Sequence, residues 1–223
     1  NNSEYKVMGL SPYGTMNKAE NLYYKKLKQV IDVKEDGSYC LDLSYFTFHY
    51  KDRMPSKKMC ELLDGPISPR DCEMTQRHKD IAAALQMIYE EVLFKMLNHL
   101  HQETKMDDLV LSGGCALNSV ANGKILSNTP FKRIWIQANS SDGGTSIGVV
   151  HYVYNTILGH KRKYVFKDAF LGPSFSNQEI KNFLDKNQIT YTNFNSHSDL
   201  LKTTARLLQE SHVIGWVQGA MGW

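Results

Sequence analysis

The strongest pattern in the chain is a set of apolar positions, Ile81, Leu85, Ile88, Val92, Leu93, Met96, Leu97 and Leu100, spaced three and four residues apart. That spacing puts them on one face of an α-helix. Thr75 stands where an N-cap belongs, so a long helix is predicted from there onward. Asp80, Glu90, Glu91 and Lys95 fall on its other faces, which predicts one side on a core and the other in water. Upstream, Val30–Val33 and Tyr39–Leu43 nearly alternate and flank Asp36-Gly37, a pair that favours a hairpin turn. Residues 51–74 carry prolines and charges without a sustained period, so irregular chain is expected there, with a short helix near Lys57–Leu63. The opening Lys6-Val7-Met8-Gly9-Leu10-Ser11-Pro12-Tyr13-Gly14 brings two glycines close to a proline, which predicts a shaped loop.

Beyond the long helix, Leu109-Val110-Leu111 reads as a buried strand, Ser112-Gly113-Gly114 as a turn and Cys115 to Ile125 as a helix. Phe131 to Gln137 gives another strand, and Ser140-Ser141-Asp142-Gly143-Gly144 leads into a helix from Thr145 to Leu158. Two successive strand–turn–helix units indicate an α/β layer architecture. After Lys161-Arg162-Lys163 the pattern restarts with Ser176-Asn177-Gln178-Glu179, a capping box flanked by Phe175 and Ile180 as its hydrophobic staple. A helix is predicted from Asn177, then an alternating strand Ile189 to Phe194, a helix capped by Ser198 and a strand Val213 to Val217. A domain boundary is expected near residue 165.

The 223 residues suffice to bury about 70% of the extended chain's surface. With 42% hydrophobic and 22% charged residues, the composition is that of a globular protein and excludes a disordered tail, a collagen and a disulfide miniprotein. No apolar run exceeds Ile81–Leu85, so no membrane-spanning helix is predicted. The net charge of +3 comes from 26 basic and 23 acidic residues, and the clusters Lys25, Lys26, Lys28 and Lys161-Arg162-Lys163 are short and separate. They read as solvated faces, and no nucleic-acid partner is expected. Cys40, Cys60, Cys72 and Cys115 show neither CxxC spacing nor a paired histidine motif, which points to a reducing cytoplasm. His99 and His101 lie two apart near a helix end, where they suit the helix dipole better than a shared metal. Because the chain opens on Asn1 and stops at Trp223 inside an apolar segment, a piece of a longer protein is expected.

The candidate chemistry lies in the two glycine turns. Gly113 and Gly114 let a ligand approach the backbone, and the helix that follows presents unpaired N–H groups to an anion such as a nucleotide phosphate. The same sequence also suits a plain strand-to-helix turn, and it is no P-loop, since GxxxxGK[ST] is absent. Asp142, before Gly143 and Gly144, either N-caps its helix or stands as a carboxylate able to hold a cation beside phosphate. Turns at the same ends of adjacent strands are expected to converge on one cleft.

Four segments in order carry a resemblance: Lys6 to Gly14, Leu111 to Gly123, Ser141-Asp142-Gly143-Gly144-Thr145-Ser146-Ile147-Gly148, and Gly215-Trp216-Val217-Gln218-Gly219. Together they resemble the signatures of the NodU/CmcH family of O-carbamoyltransferases. The resemblance implies an actin/Hsp70/sugar-kinase-like (ribonuclease H-like) lobe over residues 1–165, similar to the enzymes that make threonylcarbamoyladenosine. It implies the beginning of a YrdC-like α/β domain over residues 166–223. It further implies that carbamoyl phosphate and ATP form carbamoyl-adenylate, whose carbamoyl group passes to a hydroxyl of a small acceptor. Carried over by residue, Gly113, Gly114, Gly143 and Gly144 line the adenylate, Asn118 lies near its ribose or the acceptor, and Lys6 and Gly9 shape the cleft. Asp142 becomes a ligand of an iron-like metal whose histidine ligands precede Asn1. The sequence departs from the family pattern at Ala220 and Gly222, where an arginine and a glutamate are usual. Two other readings stay open: a nucleotide-gated ATPase or sugar kinase of the same superfold, and a structural lobe inactive by itself.

Overall fold

The computed structural model describes residues 4–69 and 72–222, so part of the segment read as irregular lies outside it. The fold is mixed α/β. Two compact units divide the chain, residues 1–149 and 150–223.

The first unit is organised by one helix. α1 (Glu4–Leu10), α2 (Leu22–Leu27) and α3 (Lys57–Leu62) precede α4 (Gln76–Thr104), a helix of 29 residues. Thr75 caps α4 as expected, and its backbone N–H donates to His78 Nδ1 at 3.1 Å. The helix ends where Lys105 turns left-handed and its N–H bonds His101 O at 2.8 Å. The expected hairpin also forms, with β1 (Ile31–Val33) antiparallel to β2 (Tyr39–Leu41) and Gly37 at φ 81° in the turn.

The opening motif is not a loop. Residues through Leu10 form α1, and Ser11–Tyr13 a 3₁₀ turn, because the segment packs on α4. Gly14 is what closeness demands: a Cβ there would overlap the Lys79 carbonyl oxygen. The face that α4 buries is also broader than its leucine and isoleucine spacing suggests. Ala82, Ala83 and Ala84 are buried in succession, whereas Leu85, Met96 and Leu100 are exposed. Small side chains let several neighbours approach one helix, and that approach, rather than a single apolar stripe, decides burial here.

Two cores share α4. Tyr23, Leu27, Val30, Tyr45 and Met59 pack with its Ala84 and Ile88, and Leu109, Ile125 and Phe131 pack with its Leu97. β3 (Asp108–Leu111) runs parallel to β4 (Arg133–Ile136), pairing Leu111 with Ile136 at their C-terminal ends. Of β3 only Leu109 is buried and Val110 is 67% exposed, so the expected buried strand has one face open. The single helix expected over Cys115 to Ile125 is broken into a 3₁₀ turn (Gly114–Leu117), α5 (Ser119–Asn122) and α6 (Ile125–Asn128), with the break at the capping residue Asn118. After β4, α7 (Thr145–His151) continues as a π-helical stretch, Tyr152–Ile157. His101, whose ring meets Phe131 edge-on at 5.2 Å, is a packing residue.

In the second unit, α8 (Asn177–Lys186) has the expected capping box, with Ser176 and Glu179 bonding reciprocally. α9 (His197–Gln209) is capped by Ser196 rather than Ser198. The strands expected at Ile189–Phe194 and Val213–Val217 do not form. Each segment instead begins by finishing a helix. Gln188 and Ser211 adopt φ 54° and 64°, and the next N–H groups, of Ile189 and His212, turn back to Leu184 O and Leu207 O. Among the described residues from Val150 onward, none is buried. Among the described residues, no helix is long and apolar enough to cross a membrane.

Candidate functional site

The parallel pairing of β3 and β4 sets the ends of both strands side by side, and a glycine turn leaves each end. The turns are joined directly: the Gly113 N–H donates to Ser140 O at 2.8 Å. Gly113 sits at φ 95°, a region that glycine alone occupies freely, and a Cβ there would meet nothing within 4 Å. The backbone of this turn is therefore open to an approaching ligand. Gly143 and Gly144 have a different cause, because a Cβ on either would overlap Asn139. They close their own turn.

Asn118 is held from two sides. Its Oδ1 accepts from Ala121 N at 3.0 Å, capping α5, and from Gln86 Nε2 at 3.2 Å, while its Nδ2 donates to Gln86 Oε1 at 2.9 Å. Among the described residues the second Nδ2 hydrogen of Asn118 has no partner. Gln86 also donates to Glu90 at 2.9 Å, and Glu90 receives Lys124 at 2.7 Å. Tyr89 donates to Cys115 O at 2.9 Å, and burial, with a smaller contribution from Cys115, pushes its phenol up to about 12. α4 thus grips the segment that follows Gly114 through a row of polar side chains.

Asp142 is exposed and opens the 3₁₀ turn Asp142–Gly144, for which Ser141 is the N-cap. Its backbone carbonyl accepts from Thr145 Oγ1 at 2.6 Å. Among the described residues, no group of three or more His, Cys, Asp or Glu side chains could hold a metal ion. One carboxylate does not make a metal site, so these residues alone do not fit the iron-like group.

Lys6 and Gly9 lie on α1, both exposed. The helix passes beside the start of α5, where Ser119 Oγ reaches Met8 Sδ at 3.9 Å. The structure therefore joins the two glycine turns, places Asn118 behind the first, and brings α1 to its flank. Sequence reasoning missed Gln86, Tyr89 and Gln137. Gln137 is buried beside Gly144 with Oε1 unpartnered among the described residues. A glutamine among the buried alanines of α4 was the one available signal for Gln86.

An α/β unit with joined glycine turns at the carboxyl ends of parallel strands is a common way to build a ligand cleft. The comparisons narrow the class. The chain belongs to the carbamoyltransferase N-terminus family, whose model matches residues 1–150. It is 36% identical to the uncharacterized protein sll1178 of Synechocystis sp. over 99% of this chain and 36% of that protein. It is 28% identical to nodulation protein NolO of Bradyrhizobium diazoefficiens over 97% of this chain and 37% of that protein. Nodulation protein NolNO of Sinorhizobium fredii is also 28% identical, over 97% of this chain and 30% of its own length. The chain thus spans about a third of the length of the curated relatives it matches.

Proposed function

We propose that this protein contributes to O-carbamoyl transfer, in which carbamoyl phosphate and ATP give carbamoyl-adenylate and a small hydroxyl-bearing acceptor receives the carbamoyl group. Family membership over residues 1–150 supports carbamoyl transfer as the reaction class. The observation that carries the site is the Gly113 N–H bond to Ser140 O, which makes one edge of the two glycine turns. In this reading the open backbone at Gly113 and Gly114 lies against the adenylate, and the free amide N–H of Asn118 reaches its ribose or the acceptor. Gly143 and Gly144 shape the second wall, and Lys6 and Gly9 flank the cleft from α1. Attack by the acceptor hydroxyl on the carbamoyl carbon breaks its bond to the AMP phosphate oxygen and displaces AMP, the hydroxyl proton passing to solvent, and neutralising the phosphate lets that leaving group depart. In the same reading Asp142 would offer a single carboxylate toward a divalent cation, a set that the described residues do not complete. The YrdC-like assignment of residues 166–223 belongs to the same proposal.

The test is pyrophosphate release from ATP by the full-length protein. Release that requires carbamoyl phosphate is the expected result. Transfer of the γ-phosphate without carbamoyl phosphate would favour a kinase of the same superfold instead.

A further inference from the structure

The π-helical stretch Tyr152–Ile157 widens the end of α7, with Leu158 N bonding Val153 O at 2.9 Å. Such stretches are rare and are frequent at functional sites. Here the chain then folds back on itself. Gly159 takes φ 68°, His160 N returns to Tyr154 O at 3.2 Å, and Asn155 Nδ2 donates to His160 O at 3.0 Å. The reversal carries Arg162, Lys163 and Tyr164 beside His151 and lines two adjoining open hollows of about 380 and 250 Å³. His151, Asn155 and Arg162 line both.

Charge and ring geometry select the occupant. Neither cavity is lined by an acidic residue, and among the described residues no carboxylate pairs with Arg162 or Lys163. Unpaired guanidinium and ammonium groups at one cavity suit an anion with several oxygens, and the fork of an arginine suits phosphate above others. The rings of His151 and Tyr164 are within 19° of parallel with centroids 6.4 Å apart. Centroids at this separation belong to an offset pair of rings in contact, and the faces that the pair leaves uncovered can stack a further planar ring.

We infer that residues 151–164 form a binding site for a small planar molecule carrying a phosphate, its ring stacked on the His151–Tyr164 pair and its phosphate on Arg162 and Lys163. The site uses no residue of the glycine turns, so it stands whether or not the transferase reading does. The smaller hollow, which Tyr154, Arg162, Lys163 and Tyr164 line, takes the ring and the phosphate, and the larger and more open one beside His160 admits the rest of the ligand.

The experiment titrates the 223-residue chain with AMP, inorganic phosphate and adenosine while following the imidazole C–H resonances of His151 and His160. His151→Gln and His160→Gln variants assign those signals. AMP is expected to shift both resonances and to bind at least tenfold more tightly than phosphate or adenosine. Arg162→Ala and Tyr164→Ala, both at exposed positions, are each expected to weaken AMP at least tenfold with the circular dichroism spectrum unchanged. Arg162→Lys is expected to recover part of the loss. Histidine resonances unmoved by AMP would overturn the site. So would AMP affinity unchanged in both variants, which would place any AMP binding elsewhere, such as the glycine turns, and leave the transferase reading intact.

Discussion

Gln86 and Asn118 exchange a reciprocal pair of amide hydrogen bonds, at 2.9 and 3.2 Å, between the middle of α4 and the break that follows the first glycine turn. Gln86 is buried, so its amide has no water to fall back on. Asn118 also caps α5. Asn118→Ala removes a cap and leaves a buried amide unsatisfied, an expected loss of about 2–4 kcal/mol. Urea unfolding of Asn118→Ala, Gln86→Ala and the double variant measures it. The double variant is expected to cost less than the sum of the singles, because the pair is lost once.

Gly9 and Gly14 flank one motif and should respond oppositely to alanine. Gly9 lies within α1, where a Cβ meets nothing within 4 Å, so Gly9→Ala is expected to stabilise by about 0.5–1 kcal/mol. A Cβ at Gly14 overlaps the α4 backbone at Lys79, so Gly14→Ala is expected to destabilise by about 1–3 kcal/mol. Thermal unfolding of the two variants separates the effects by sign.

Glu91 draws Tyr24, Lys28 and Lys18 to one carboxylate at 2.5, 2.7 and 3.1 Å. Burial alone would raise its pKa, but the bonds from Lys28, Tyr24 and Lys18 outweigh burial and hold it at about 2. The folded value lies below the ordinary 4.5, so this stabilisation is complete above that pH and is lost as pH falls toward 2. Glu91→Gln is expected to cost about 1–2 kcal/mol near neutral pH, allowing for solvent screening of the partly open cluster. Stability measured against pH should fall less steeply for the variant between about 4.5 and 2.

Ferrous iron should bind this chain only weakly. Asp142 offers one exposed carboxylate and no neighbouring donor set among the described residues. Titration under anaerobic conditions is expected to show no site tighter than about millimolar, with Asp142→Asn making little difference. Tight binding abolished by that substitution would contradict this.

Much of the first unit was legible in the sequence because its elements are locally determined. The hairpin at Asp36-Gly37, the short helix after Ser56, the α4 periodicity and the strand pair beyond it each carry their own turn, cap or alternation. What could not be read was closeness. The glycines around Pro12 look like loop chemistry until α4 is seen against Gly14, and Ala82–Ala84 look like filler until neighbours press on them. The strands expected at Ile189–Phe194 and Val213–Val217 failed for a related reason. Alternation makes a segment suitable for a ladder but supplies no partner, and among the described residues neither segment has one. At the glycine turns the residues were legible and their division of labour was not. Only the backbone shows that Gly113 faces open space while Gly144 is pressed against Asn139.

Both hydrophobic clusters hang on a single rod. At 1.5 Å per residue α4 runs about 44 Å, and Ile88 serves the hairpin cluster while Leu97, a few turns along, serves the parallel strands. Neither cluster can come apart without freeing a stretch of that helix, so the two should melt as one cooperative body. Amide hydrogens along the centre of α4 would then be the slowest in this unit to exchange with solvent, and would do so at one shared rate.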